Sequence, residues 1–176
     1  MFGLFKKKQP PDVASQLVNQ AIGGQSVIYR FFREGLECED DSILKLELTF
    51  FAMSVLTVAY LAVSQDPQRQ ETLDQFSEQM LKRAIAATQS NESLSSITAS
   101  YQQRYSEYQS ILRPLLNPAT TKDATPPVAL LLHAFEKITD SSAKSHMVKI
   151  MAGARIAQQF VADNLDFVRN GLRREA

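Results

Sequence analysis

The sequence predicts an all-α fold, a single-domain bundle of about six helices around a central hydrophobic helix. Apolar residues recur at spacings of three and four along several segments, which is the periodicity of one face of an α-helix. The chain has 176 residues with only 6 glycines, and its 7 prolines fall mostly in clusters between the apolar segments. This punctuation is typical of long helices separated by short breaks. No strand–turn–strand signal and no internal repeat is seen, so residues 12–176 are predicted to form one helical domain.

Residues 1–11 are predicted to be a flexible leader in front of this domain. In its beginning, MFGLFKKK, the lysines follow the apolar residues, and no apolar h-region comes after them. The leader is therefore not a secretory signal, and a cytoplasmic location is expected. Apolar side chains beside lysines favour weak peripheral contact with anionic lipid, while a frayed, soluble start is the preferred alternative. The side chains concerned are Phe2, Leu4, Phe5, Lys6, Lys7 and Lys8.

The first helix is predicted to begin after Asp12, whose carboxylate can cap it, and to stop at Gly35. The second helix carries an uncharged run from Leu48 to Gln65. This run approaches the roughly 20 apolar residues that a membrane span needs. However, polar residues dilute it, and its mainly acidic flanks supply no lysine-rich side to orient a span. We therefore predict no transmembrane segment and a central core helix in which Thr49 to Val63 is largely buried.

The third helix is predicted to begin at Asp66-Pro67, because aspartate accepts hydrogen bonds from free amides and proline has no amide to leave unpaired. It should fade in the polar stretch from Gln89 to Ser93. The fourth helix has the clearest pattern, a heptad seam with one polar break at Arg104. The seam consists of Leu94, Ile97, Tyr101, Arg104, Tyr108, Ile111 and Leu115.

The segment from Asn117 to Pro127 is predicted to be a mobile loop because it is rich in proline and small polar residues. Thr125 can cap the fifth helix, with Pro126 in its first turn. The sixth helix follows a break near Asp140 and is long. The small residues at 152–154 in its first half would let a neighbouring helix approach closely.

The bulk composition excludes several classes of function. Lysine plus arginine equal aspartate plus glutamate at 19 each, whereas a nucleic-acid binder needs a basic face. The single cysteine, Cys38, leaves no intramolecular disulfide to form. Phosphate-binding glycine loops, nucleophile elbows, paired cysteines and HExxH motifs are absent from the sequence. We therefore predict no nucleic-acid partner, no cofactor and no catalytic residue.

A tyrosine-rich face on the fourth helix is the first candidate site. Tyr101, Tyr105 and Tyr108 lie at i, i+4 and i+7, with Arg104 beside them. Tyrosine and arginine are enriched at interface hot spots, so this face is a candidate for binding a partner or a ligand. The alternative is a core rim, with the rings inside and the hydroxyls in water. The sequence leaves interface, pocket lining and core rim open.

A second, weaker candidate lies on the fifth helix. His133, Glu136 and Asp140 share one face at i, i+3 and i+7, and His146 follows after a short turn. Imidazole and carboxylate are ligands for zinc or iron. Neither histidine sits three residues after a glutamate, as two-metal carboxylate bundles require. We therefore predict that no metal is bound and favour a solvated helix face.

These observations favour a non-enzymatic helical protein that acts through protein–protein interaction as an adaptor, regulator or accessory factor. The alternative is a helical enzyme or small-ligand-binding protein with a pocket between helices four, five and six. A homodimer is also predicted, with helix four or helix six in its interface, because both helices carry apolar residues beside their main stripes. Those residues are Tyr105, Leu112, Phe160 and Phe167.

Overall fold

The computed structural model describes residues 12–39, 42–89, 92–116, 125–139 and 146–172. As predicted, these residues form α-helices, and none of them forms a strand. The six helices are α1 (Val13–Arg30), α2 (Ser42–Val63), α3 (Arg69–Thr88), α4 (Leu94–Leu112), α5 (Thr125–Thr139) and α6 (Met147–Asp166). π-Helical turns extend α1 (Phe31–Gly35) and α6 (Phe167–Gly171), and a 3-10 turn extends α4 (Arg113–Leu116).

The predicted central helix is confirmed. α2 packs against all five other helices, and its residues 47–60 are buried without interruption. Among the described residues it is the one helix long and apolar enough to cross a membrane, yet 78% of its most apolar window is buried against the rest of the chain. This burial is what a core helix requires, since a membrane span would leave its apolar surface free for lipid.

The helix starts follow local hydrogen bonding. The Asp12 carboxylate accepts from the backbone N–H of Ser15 at 2.7 Å and caps α1, as predicted. The predicted start of α3 was two to three residues too early. Asp66 accepts from the backbone N–H of Gln68 at 2.8 Å, so it holds a turn in front of the helix, which begins at Arg69. Asx-turns of this kind compete with helix capping because they use the same carboxylate.

The apolar residues that motivated the homodimer prediction are covered within one chain. Leu112 and Phe160 are buried, and Tyr105 and Phe167 are partly buried against the core. Among the described residues, α4 therefore carries no exposed large hydrophobic side chain. The homodimer itself stays a prediction, and the exposed apolar side chains lie elsewhere.

α1 and α6 lie antiparallel and approach each other through their glycines. A Cβ at Gly24 would lie 2.8 Å from the Phe160 ring, and one at Gly153 would overlap the Phe31 ring. Each glycine thus makes room for an aromatic ring of the other helix or its π-turn. The prediction that the small residues of α6 permit close approach is confirmed at Gly153.

The two π-helical turns have the same sequence pattern, FFREGL at residues 31–36 and FVRNGL at residues 167–172. In each, the leucine N–H donates to the phenylalanine carbonyl at 3.0 Å, across five residues. A Cβ on the glycine would lie 3.2 Å (Gly35) or 2.8 Å (Gly171) from the ring of that phenylalanine. The same short pattern, phenylalanine, arginine, glycine and leucine at matching positions, thus accompanies the same turn at the ends of two helices.

Candidate functional site

The tyrosine-rich face of α4 is divided between two sides of the bundle. Tyr108 and Arg104 meet α2, and Tyr108 also meets α5. Tyr101 and Tyr105 meet α2 and α3. Tyr108 is fully buried, and Tyr101 is 6% exposed. Their hydroxyls bond inside the protein, unlike those of a core rim that face water. The predicted cluster is therefore two separate environments.

Glu47 is a buried acid at the centre of the first environment. Only 4% of the residue is exposed. Its Oε1 accepts from the Tyr108 hydroxyl at 2.6 Å, and its Oε2 accepts from Arg104 Nε at 3.0 Å. A buried carboxylate is costly unless it is paired and hydrogen-bonded, and here both oxygens have partners.

Glu107 extends this contact to α5. Its Oε2 lies 3.2 Å from the Arg104 guanidinium, 3.0 Å from His133 Nε2 and 3.2 Å from Lys137 Nζ. The His133 ring also meets the Tyr108 ring edge-on, with centroids 5.0 Å apart. We call the set Glu47, Arg104, Glu107, Tyr108, His133 and Lys137 the ion network.

The ion network favours the ionised forms of Glu107 and Arg104 and the neutral form of Tyr108. Burial alone would raise the pKa of the Glu107 carboxyl, but Lys137, Gln103 and Arg104 outweigh burial and hold that pKa below its ordinary value. Burial would lower the pKa of Arg104, and the two glutamates raise it. Burial and then Glu47 raise the pKa of Tyr108 well above its usual range, so its phenol stays protonated and donates.

What the ion network does chemically is to join helices. Glu47 comes from α2, Arg104, Glu107 and Tyr108 from α4, and His133 and Lys137 from α5. Sequence reasoning found three of the six but missed the two glutamates and Lys137. Glu47 was interpreted as a flank of the apolar run, although it falls three residues after buried Leu44 and four before buried Phe51, on the helical face that packs inward.

The second environment is a cavity of about 340 Å³ between α2, α3 and α4, which we call the tyrosine cavity. Tyr101 and Tyr105 contribute adjacent rings, with centroids 6.1 Å apart. The Tyr101 hydroxyl lies 3.2 Å from Thr57 Oγ1. The rest of the lining is Leu61, Gln70, Leu73, Asp74, Ser77, Glu78, Leu81, Thr98 and Gln102.

The two histidines among the metal candidates lie in different surroundings. His133 belongs to the ion network, whereas the His146 ring packs on Phe135 with centroids 4.8 Å apart. Glu136 is exposed, and Asp140 lies outside the described residues. Among the described residues, no group of three or more His, Cys, Asp or Glu side chains is arranged to hold a metal ion.

A third surface runs along α1 and α6. Exposed large hydrophobic side chains concentrate there: Val148 is 81% exposed, Met151 59% and Val27 57%. A groove of about 440 Å³ lies between the two helices, with Val27 in its lining and Val148 and Met151 outside it. We call this surface the α1–α6 face. The groove is lined by Gln20, Gly24, Val27, Arg155, Ile156, Gln159, Phe160, Asp163 and Asn164.

The leader with its predicted lipid-contact side chains (residues 1–11) lies outside the described residues, as do residues 117–124 of the predicted loop. Comparisons of the chain with protein-family models, curated proteins and solved structures found no match. The function proposed below therefore depends on the geometry of the chain alone.

Proposed function

We propose that this chain is a non-enzymatic helical protein that acts through protein–protein contact, with the α1–α6 face as its contact surface and a second copy as its partner. The observation that carries the proposal is the concentration of exposed apolar side chains on α1 and α6. Exposed apolar patches mark interaction sites on soluble proteins. We also propose a cytoplasmic location, which is supported by the burial of α2 and by the single cysteine.

The charges on α6 favour a second copy as the occupant. Arg155, Gln159 and Asp163 line the groove at intervals of four residues, so the two opposite charges stand about 12 Å apart on one helix face. In a two-fold contact the same patch meets itself, and residue i faces j while j faces i. Two antiparallel copies of α6 centred on Gln159 would place each Arg155 opposite the partner's Asp163, forming two ion pairs.

The apolar side chains supply the area that such a contact needs. Val148 and Met151 precede Arg155 by seven and four residues, so the three lie on the same face of α6. Val27 lines the other wall of the groove. A stable dimer buries at least about 1,000 Å² in total, so apolar contributions from both helices are needed beside the ion pairs.

The test is a charge-reversal series measured by sedimentation equilibrium and by light scattering after size exclusion. Wild type is expected to have twice the 19.7 kDa chain mass at micromolar concentrations. Arg155→Glu and Asp163→Arg should each give a monomer because like charges then face each other. Combining both reversals should restore the dimer, since the pairs form again with opposite sense. Arg83→Glu, on the exposed side of α3, is the matched control and should leave the mass unchanged.

Two results would overturn this proposal. A mass of one chain at all concentrations would exclude self-association. A dimer that survives both single reversals but dissociates with Tyr105→Asp would place the interface on α4 instead.

A further inference from the structure

We propose that the tyrosine cavity binds a small, water-soluble primary ammonium ion. The inference is independent of the α1–α6 face, because the cavity lies between α2, α3 and α4. Its volume of about 340 Å³ falls at the low end of the ~300–1,000 Å³ of small-molecule sites.

The first argument is the sign of the charge around the cavity. Asp74 and Glu78 line it, and its lining contains no lysine, arginine or histidine. Asp74 accepts from Gln70 Nε2 at 2.9 Å, and this neutral partner leaves its negative charge uncompensated. Glu78 pairs with Lys82, but both side chains are more than half exposed, so a ligand can compete with that weak pair. A cation is attracted to this cavity, and an anion is repelled.

The second argument is the aromatic wall. The rings of Tyr101 and Tyr105 are neighbours inclined at 43°, and both line the cavity. A cation near the face of a tyrosine ring is attracted by the ring quadrupole, more strongly where water is excluded. Burial raises the pKa of both tyrosines, so the phenols stay neutral and do not compete as anions.

The third argument is the group of hydroxyls around the Tyr101 phenol. Ser54 is fully buried, and its hydroxyl lies close enough to the Tyr101 hydroxyl to lower the pKa of that phenol. Thr57 Oγ1 lies 3.2 Å from that same Tyr101 hydroxyl, in the cavity lining. The oxygens of such hydroxyl groups can accept hydrogen bonds from a donor in the cavity.

A primary ammonium can donate a hydrogen bond to this group of hydroxyls. Its N–H donates to the oxygen of Tyr101, which then donates its own proton to Ser54. An ammonium ion that donates hydrogen bonds fits this arrangement, whereas a quaternary ammonium has no N–H to donate. The carboxylates of Asp74 and Glu78 neutralise the ligand charge from the α3 side.

The experiment compares three ligands of the same size on the full chain: n-butylammonium, 1-butanol and butyrate. Tyrosine ring signals are followed by NMR during each titration. The chain has 5 tyrosines and no tryptophan, which keeps the aromatic spectrum simple. We expect n-butylammonium to shift the Tyr101 and Tyr105 signals and to bind at least about tenfold more tightly than 1-butanol. Butyrate should not bind.

Variants assign the binding to the cavity. The pair of changes Asp74→Asn and Glu78→Gln should weaken n-butylammonium binding about tenfold or more, and Tyr105→Leu should weaken it severalfold. Glu71→Gln is the matched control, an exposed acid on the same helix that does not line the cavity. Circular dichroism verifies that each variant is folded.

Three results would overturn the proposal. Equal affinity for 1-butanol would show that charge plays no part in binding. An equal loss in Glu71→Gln would show only a general effect of negative charge on α3. Unchanged tyrosine signals throughout the titration would exclude the cavity as a site.

Discussion

The α1–α6 contact and the ion network hold helices together by different means. In the first, Gly24 and Gly153 admit the rings of Phe160 and Phe31, so the fit depends on shape. In the second, carboxylates on α2 and α4 meet basic groups on α4 and α5, so the fit depends on charge. Added volume should destabilise the α1–α6 packing, whereas the loss of one partner should destabilise the ion network.

The largest expected effect on the free energy of unfolding comes from removing Glu47, the most buried charge of the ion network. Glu47→Ala leaves Tyr108 without its partner and leaves Arg104 paired with Glu107 alone. Breaking a buried pair on one side costs about 3–5 kcal/mol, and we expect about 3 kcal/mol because Arg104 keeps some exposure to water. Denaturant unfolding measures the change.

A compensated variant separates charge from packing at this position. Replacing Glu47 and Arg104 by methionine and Tyr108 by phenylalanine removes Glu47 together with both of its polar partners. Its stability should lie within about 1 kcal/mol of wild type, since apolar replacement of a whole buried pair is often neutral. If this variant is as unstable as Glu47→Ala, the network stabilises the fold by packing and not by charge.

The next prediction compares the same substitution, glycine to alanine, at a crowded and at an open position. Gly153→Ala adds a Cβ that overlaps the Phe31 ring and should destabilise the fold by about 1–2 kcal/mol. Gly23→Ala meets no atom within 4 Å and should stabilise α1 by about 0.5–1 kcal/mol. Helix propensity contributes equally to both changes, so their difference in unfolding free energy measures crowding alone. Equal stabilisation at both sites would disprove the close contact.

The smallest effect concerns pH and again distinguishes the two contacts. The pKa of Glu107 is lowered in the folded chain, so its contribution to stability is present above the ordinary pKa of 4.5 and is lost as pH falls below it. In Glu107→Gln, the loss of stability between neutral and acidic pH should therefore be smaller than in wild type. Gly153→Ala should keep the wild-type dependence on pH. An unchanged profile in Glu107→Gln would exclude this carboxylate as a source of acid sensitivity.

The sequence predicted the helices well because their signals are local. The long uncharged run identified α2 as the central helix, and the Asp12 cap placed the start of α1. The start of α3 was misplaced because the Asp66 carboxylate can either cap a helix or close a turn in front of it. The local sequence is compatible with both.

The site was only partly predictable because its contacts are long-range. The polar break at Arg104 was visible in the seam of α4, but its partner Glu47 lies 57 residues earlier in the chain. Periodicity shows which face of a helix is buried and gives no information on which residue of another helix it meets. For the same reason the tyrosines were recognised as a cluster, and their division between a cavity and the ion network was not.

The paired hexapeptides FFREGL and FVRNGL have a consequence for how this chain folds. The same six-residue pattern gives the same five-residue hydrogen bond at two places with different surroundings. The end of each helix is therefore determined by its own local sequence. The phenylalanine carbonyl accepts from the leucine N–H, and the phenylalanine ring covers the glycine. We expect these stop signals to act before the helices have met. The C-terminal ends of α1 and α6 would then form early in folding, and the two helices would pack together with their final lengths.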